Sequence, residues 1–217
     1  MDVQEIAARY AAGLFPMDDP EAAELPWWAA DPRAIFELDE RSLAMIERRA
    51  KRSLRAAEPS WTLTTDAHFD RIIEQCGRPR GEEDGVWLTP RMHEMYRQLN
   101  GVGLAHTFEL VDRSDDRLVE GSHGEPPEEE GELLAGIVGV TIGRAAMLES
   151  MCHWRPHAGN VLLVRTLRAL KGAGCELCDL QMLTPHTERL GATLISREEY
   201  ERRLNAALSP RAAESAR

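Results

Sequence analysis

The chain has 217 residues, 43% of them hydrophobic and 29% charged, and a formal net charge of −11. That balance fits a soluble globular protein of one domain, or of one domain with a small lobe. No apolar run approaches the roughly 18 residues a spanning helix needs, and the acidity excludes nonspecific nucleic-acid binding driven by overall charge.

The N-terminus, MDVQEIAARYAAGLF, carries acids early and lacks a basic segment followed by an apolar one. A secretory signal is therefore not expected, and the cytoplasm is. Its pattern predicts a helix over Val3–Ala12, closed by Gly13. PMDDPEAAELPWWAADPRA is rich in Pro and Asp and reads as an ordered loop, with Trp27 and Trp28 needing a surface to pack on. Asp39–Ala57 is helical in pattern, and within it residues Arg41 to Arg55 set Arg41, Arg48, Arg49, Lys51, Arg52 and Arg55 against one acid, Glu47. That basic stretch is either a solvated helix face or a contact for one phosphate-bearing end of a ligand.

WTLTTD alternates as a strand, Ala67–Cys76 is helical, and Pro90 opens a helix that ends near Gly101. AHTFELV is a strand. Residues 112–132 are acidic, bear Gly and Pro, and read as a mobile loop joining two antiparallel strands, because LLAGIVGVTIG resumes strand character at once. A helix over Asn160–Lys171, the strand ELCDLQML, a turn at TERL, the strand TLIS and a helix over Arg197–Leu208 complete the order. The result is mixed α/β, divided into a lobe at 1–60 and a larger domain at 61–217. Cys76, Cys152, Cys175 and Cys178 suit buried reduced thiols better than a disulfide framework or a zinc site.

Two polar residues interrupt the last long apolar run. Asp179 and Gln181 share one face of a strand, with Cys178, Leu180 and Met182 on the other. Burying them is costly without hydrogen bonds. They either tie down a loop or line a cleft and orient a proton. Glu149, at the end of a strand pattern, is either a surface acid or a second cleft carboxylate. His153 and His157 have helical spacing, but Pro156 lies between them and no third ligand suits a metal. No G-x-S-x-G, Walker or G-x-G-x-x-G sequence is present.

The segments YAAGLFP, PWWAADPRA, KRS, CGRPRGEEDGVWL, MYRQLNGVGLAHTFELV, GVTIGRAAMLESM and LCDLQMLTPHTERLGATLISREEY follow one another from Tyr10 to about Leu208. Together they resemble the leucyl/phenylalanyl-tRNA-protein transferase family. The resemblance implies an acetyltransferase-like fold behind a smaller N-terminal lobe. It implies transfer of Leu or Phe from its tRNA to the N-terminal amine of a protein beginning with Arg or Lys, which marks that protein for degradation. No metal or diffusible cofactor is implied.

By the same resemblance, Asp179 and Gln181 are the catalytic pair and Glu149 favours the cationic acceptor terminus. Trp87 walls the tRNA 3′ end and Arg52 contacts phosphate. The aminoacyl pocket is lined by Ile137, Ala146, Met151, Leu163, Thr166, Leu170 and Cys178. Met17, Leu148 and Asn160 depart from the family's pattern, as do Ala146 and Thr166, where Phe is frequent. A noncatalytic relative that binds the same ligands, and an acyltransferase of this fold using an acyl thioester, are the rival expectations.

Overall fold

The computed structural model describes residues 2–78, 88–114 and 131–210. Seven strands form one sheet in the order β4-β5-β6-β7-β8-β3-β9. They are β3 (Arg33–Phe36), β4 (Trp61–Thr65), β5 (Ala105–Asp112), β6 (Glu132–Ile142), β7 (Ala145–His153), β8 (Leu177–Gln181) and β9 (Thr193–Ile195). All neighbours are antiparallel except β7 and β8, which α6 (Ala158–Gly172) joins in a parallel crossover. Parallel neighbours need such a crossover because the end of one strand and the start of the next lie at opposite ends of the strands.

Helices cover both faces. On one side, α1 (Val3–Ala11), α4 (Phe69–Cys76), α5 (Pro90–Gly101) and α8 (Arg197–Leu208) enclose a core that includes Ile6, Tyr10, Ile72, Met92, Tyr96, Val138 and Met147. On the other, α2 (Glu40–Arg49), α3 (Lys51–Arg55) and α6 enclose Leu43, Phe108, Ile137, Ala146, Leu148, Leu162 and Cys178. Asp39 caps α2 by accepting from Arg41 N and Ser42 N, each at 3.0 Å. The short α7 (Pro185–Leu190) carries a capping box between Thr184 and Thr187.

Most elements fall where the sequence places them, and three do not. The loop expected at residues 16–34 contains a short ribbon, β1 (Phe15–Pro16) paired with β2 (Trp27–Trp28), and it leads directly into β3. The single helix expected over Asp39–Ala57 breaks at Ala50; no Gly or Pro marks the break, and both halves pack on α6. Glu149 stands inside β7 rather than at its end. Residues 1–60 contribute β3 to the interior of the main sheet and Ile6, Tyr10 and Ile35 to the first core. Strands β5 and β6 are antiparallel neighbours, as expected for strands joined by the acidic segment, while residues 115–130 of that segment lie outside the described residues. All four cysteines are buried, and none of them forms a disulfide.

The β6–β7 ladder shifts register between Val138 and Gly139, opposite Leu148 and Ser150, so Glu149 is the extra residue of a β-bulge. A Cβ on Gly139 would stand 2.8 Å from the Met147 carbonyl oxygen and 3.2 Å from Leu148 Cδ2. Backbone there cannot yield easily. Gly139→Ala is therefore expected to destabilise the fold by roughly 1–3 kcal/mol, the cost of overpacking. Gly172→Ala, whose Cβ meets nothing within 4 Å, is expected to be neutral or mildly stabilising. Thermal denaturation of both variants checks the contrast.

Candidate functional site

Asp179 sits on the first-core face of β8 and is completely buried. Such a carboxylate needs a partner, and the partner comes from the opposite end of the chain. Arg33, at the start of β3, donates through Nε to Asp179 Oδ1 at 2.8 Å and through Nη2 to Oδ2 at 2.6 Å. This two-pronged geometry is the strong form of an ion pair. Arg33 also donates to the Gly13 carbonyl at 3.0 Å, and its guanidinium lies 4.9 Å from the Phe15 ring centroid and 4.5 Å from that of Tyr200. Tyr200 OH donates to Asp179 Oδ2 at 2.8 Å.

The same carboxylate shapes Gln181. Asp179 Oδ1 accepts the Gln181 backbone N–H at 2.8 Å, and Gln181 adopts a left-handed conformation with φ of 58°. A non-glycine residue there is under strain that its surroundings must hold. Asp179 thus holds the backbone of Gln181. The side-chain amide instead reaches across the sheet: the hydrogen-bond network orients it so that Nε2 donates to the carbonyls of Leu180 at 2.8 Å and Leu148 at 3.2 Å.

That reach spans a gap. Strands β7 and β8 pair only from Ala145↔Leu177 to Met147↔Asp179, after which β7 continues to His153 while β8 ends at Gln181. The strands separate beside Leu148, and Gln181 bridges the opening. Bulged Glu149 follows immediately. Because the bulge changes the alternation, Met151 returns to the second-core side with Ala146 and Leu148. Ile137, Ala146, Leu163, Leu170 and Cys178 belong to that same core and Met151 packs on it, so the predicted apolar residues do come together. Met151 is partly exposed, whereas Ile137, Leu163, Leu170 and Cys178 are buried. Thr166 is also buried, and its hydroxyl has no partner among the described residues. Burial pushes the Cys178 thiol far above its usual range, so it stays protonated.

Glu149 is partly exposed as a residue, but its Oε1 is enclosed and has no hydrogen-bond partner among the described residues. The enclosure of the carboxyl itself governs its ionisation. Burial, with the Asp179 charge second, pushes Glu149 up to about 8, against the opposing pull of Tyr10, Arg33 and Tyr96. Sequence reasoning assigned no role to Arg33, Tyr200, Tyr10 or Tyr96. Arg33 opens a buried apolar strand and so needed an acid, but its partner lies 146 positions away.

The basic stretch lies at the start of α6. Ser53, next to Arg52, meets His157 Nδ1 at 3.2 Å and accepts from Asn160 Nδ2 at 3.0 Å. Asn160, one of the departures, therefore fixes α3 against α6. Arg41, Arg48, Lys51, Arg52 and Arg55 are exposed and make no ion pair with a described residue. Trp87 lies outside the described residues. Trp27 packs edge-on against Tyr10 with centroids 5.3 Å apart, while Trp28 is 50% exposed.

The arrangement has two sides. Charged and phenolic groups occupy one face of the sheet, apolar side chains the other, and the two meet at the gap bridged by Gln181. A ligand with an apolar end and a reacting end beside a cation could span it.

Comparisons with known proteins agree on the family of the chain. The family profile described as leucyl/phenylalanyl-tRNA protein transferase matches residues 38–126 and 128–205. A protein of Anaeromyxobacter dehalogenans named leucyl/phenylalanyl-tRNA-protein transferase is 36% identical over 210 residues, covering 96% of this chain and 80% of that one. One of the same name from Prosthecochloris aestuarii is 31% identical, with 96% of each chain covered. Among solved structures, FemX superposes with a TM-score of 0.54 at 13% identity, over 88% of this chain and 66% of that one. That likeness bears on fold alone, and it places the mixed sheet in the acetyltransferase-like class.

The buried acid generates a prediction about stability. A carboxyl whose folded value is raised from 4.5 to about 8 holds its proton in the folded chain where the unfolded chain has lost it. Stability is therefore expected to fall as pH rises between those values, by up to about 1.4 kcal/mol per unit, and to level off above them. Glu149→Gln is neutral at every pH and should flatten that slope. Urea denaturation of both proteins from pH 5 to 9 measures it.

Proposed function

The chain belongs to the leucyl/phenylalanyl-tRNA-protein transferase family, whose members are aminoacyltransferases, and we propose that its acceptors begin with Arg or Lys. The donor is Leu or Phe esterified to its tRNA, and the product is a protein whose new N-terminal residue marks it for degradation in the cytoplasm. Among the described residues no helix is long and apolar enough to cross a membrane.

The observation that carries this reading is the Gln181 bridge over the β7–β8 opening, with apolar residues on one side and Glu149 with the Arg33–Asp179 pair on the other. In this reading the aminoacyl side chain enters among Ile137, Met151, Leu163, Leu170 and Cys178. The ester carbonyl lies at the opening, and the Gln181 side-chain carbonyl orients the attacking amine. Asp179 acts indirectly, by fixing the strained backbone of Gln181. Glu149, in its ionised form, favours the cationic acceptor terminus. Arg52 and its basic neighbours contact tRNA phosphate, and Trp87 stacks at the 3′ end. An aminoacyl ester is already activated, so positioning supplies much of the catalysis.

Purified protein incubated with labelled Leu-, Phe- and Met-tRNA and with peptides beginning with Arg, Lys or Ala tests the assignment. Label is expected on the Arg and Lys peptides and not on the Ala peptide. Equal labelling of all three would overturn the acceptor rule. Gln181→Ala should lower transfer on the order of 100-fold or more with little change in stability. Asp179→Ala should also destabilise the fold by about 3–5 kcal/mol, because it leaves Arg33 buried without its partner.

The donor end and the tRNA body have separate readouts. Ala146→Phe should change the ratio of Leu to Phe transfer, graded within the roughly 10- to 200-fold that one methylene commands. An unchanged ratio would remove Ala146 from the pocket. Arg52→Ala with Arg55→Ala should flatten the salt dependence of tRNA binding by roughly one unit of slope for each phosphate no longer neutralised.

A further inference from the structure

Three buried polar atoms meet on the first-core side without ordinary hydrogen bonds to any described residue. They are Tyr10 OH from α1, Tyr96 OH from α5 and Glu149 Oε1 from the bulge of β7. Both tyrosines are completely buried, and each of the three groups perturbs the ionisation of the other two. Unsatisfied buried groups are few in folded proteins, and several in one place call for an explanation.

The two carboxylates near the opening are differently engaged. Asp179 already accepts four hydrogen bonds, two from Arg33, one from Tyr200 and one from the Gln181 N–H. Glu149 Oε1 accepts none, and Glu149 follows Leu148, whose carbonyl anchors the Gln181 amide. On the transfer reaction proposed above, we propose that Glu149 takes the proton of the acceptor's α-ammonium, with Tyr10 and Tyr96 as positioning residues for its carboxylate.

The step balances. One N–H proton of the ammonium passes to Glu149, and the freed lone pair attacks the ester carbonyl carbon. As the C–N bond forms and the ester C–O bond breaks, a second N–H proton goes to the departing ribose oxygen. The products are an amide, a tRNA with a free hydroxyl, and a protonated Glu149 that returns its proton to water. An α-amine has a pKa of about 7.7–8.0, and Glu149 is pushed up to about 8. Proton transfer between matched groups is efficient near neutral pH. The groups that set that value are Tyr10 from α1, Tyr96 from α5, Asp179 from β8 and Arg33 from β3. Tyr200 of α8 also feels the Glu149 charge, and Cys76 of α4 acts on Tyr96.

Single-turnover transfer of Leu from its tRNA to an Arg-initiated peptide, measured from pH 6 to 9.5 on the full chain, tests the proposal. Glu149→Gln is expected to slow the step by about 10²- to 10⁴-fold at saturating acceptor. Tyr10→Phe and Tyr96→Phe each remove a hydroxyl that draws the Glu149 value down. Each should move the acid limb to higher pH, on the order of one unit. In the Glu149→Gln background the same substitutions should move nothing. The acceptor amine contributes equally to every profile, so the shift isolates the protein's own group. Wild-type rate in Glu149→Gln at saturating acceptor, with only affinity reduced, would overturn the proposal and leave Glu149 a cation-binding residue. An acid limb that stays in place in both phenylalanine variants would overturn it too. Absence of transfer by the wild-type chain would overturn the reaction itself and this step with it.

Discussion

The Arg33–Asp179 ion pair is the constraint on which the site depends. It is completely buried, so separating its members would leave a charge with no water to receive it. It joins β3 to β8, adds the Gly13 carbonyl and Tyr200 to the same cluster, and fixes Asp179 Oδ1 where it also accepts the Gln181 N–H. The strained conformation of Gln181 persists because several fixed partners share its cost. A hydrophobic pair could join the two strands equally well, but it could not direct a backbone N–H.

A second constraint follows from strand geometry. Because β7 and β8 part after Met147 and Asp179, the sheet has an opening where a hydrogen bond would otherwise lie. The bulge at Glu149 lengthens one side of that opening and redirects the side chains beyond it. Apolar residues on the α6 side and ionisable ones on the α1 and α5 side are thus neighbours without mixing. Each environment keeps its own character: the Cys178 thiol is held protonated by burial, while Glu149 is poised near 8 among phenols and charges. The proposed transfer, of an apolar acyl group to an amine that must first lose a proton, would use both.

The departures from the family's pattern acquire different meanings in the folded chain. Asn160 bonds Ser53 and so secures the basic α3 at the start of α6. Leu148 lends its carbonyl to Gln181 while its side chain fills the second core beside Ala146. The Met17 carbonyl accepts from Trp28 Nε1 at 3.2 Å. Thr166 leaves a hydroxyl without a partner in an otherwise apolar core, and nothing in the structure explains it.

The sequence by itself determined the local elements and the chemistry on offer. Alternation placed Asp179 on one face of β8 and Cys178 and Leu180 on the other, and the ordered motifs from YAAGLFP to ISREEY carried the family. These are short-range properties, written in residue spacing and in side chains that cannot be buried without cost. Tertiary structure alone decided that Arg33 would answer Asp179, that Glu149 would stand in a bulge, and that Tyr10 and Tyr96 would close around it. It also turned an expected loop into β1, β2 and β3 and broke one helix at Ala50. The reason is physical. Periodicity tells which face of an element is buried, but the partner on the other side of the burial is chosen by sheet register and helix packing between segments distant along the chain.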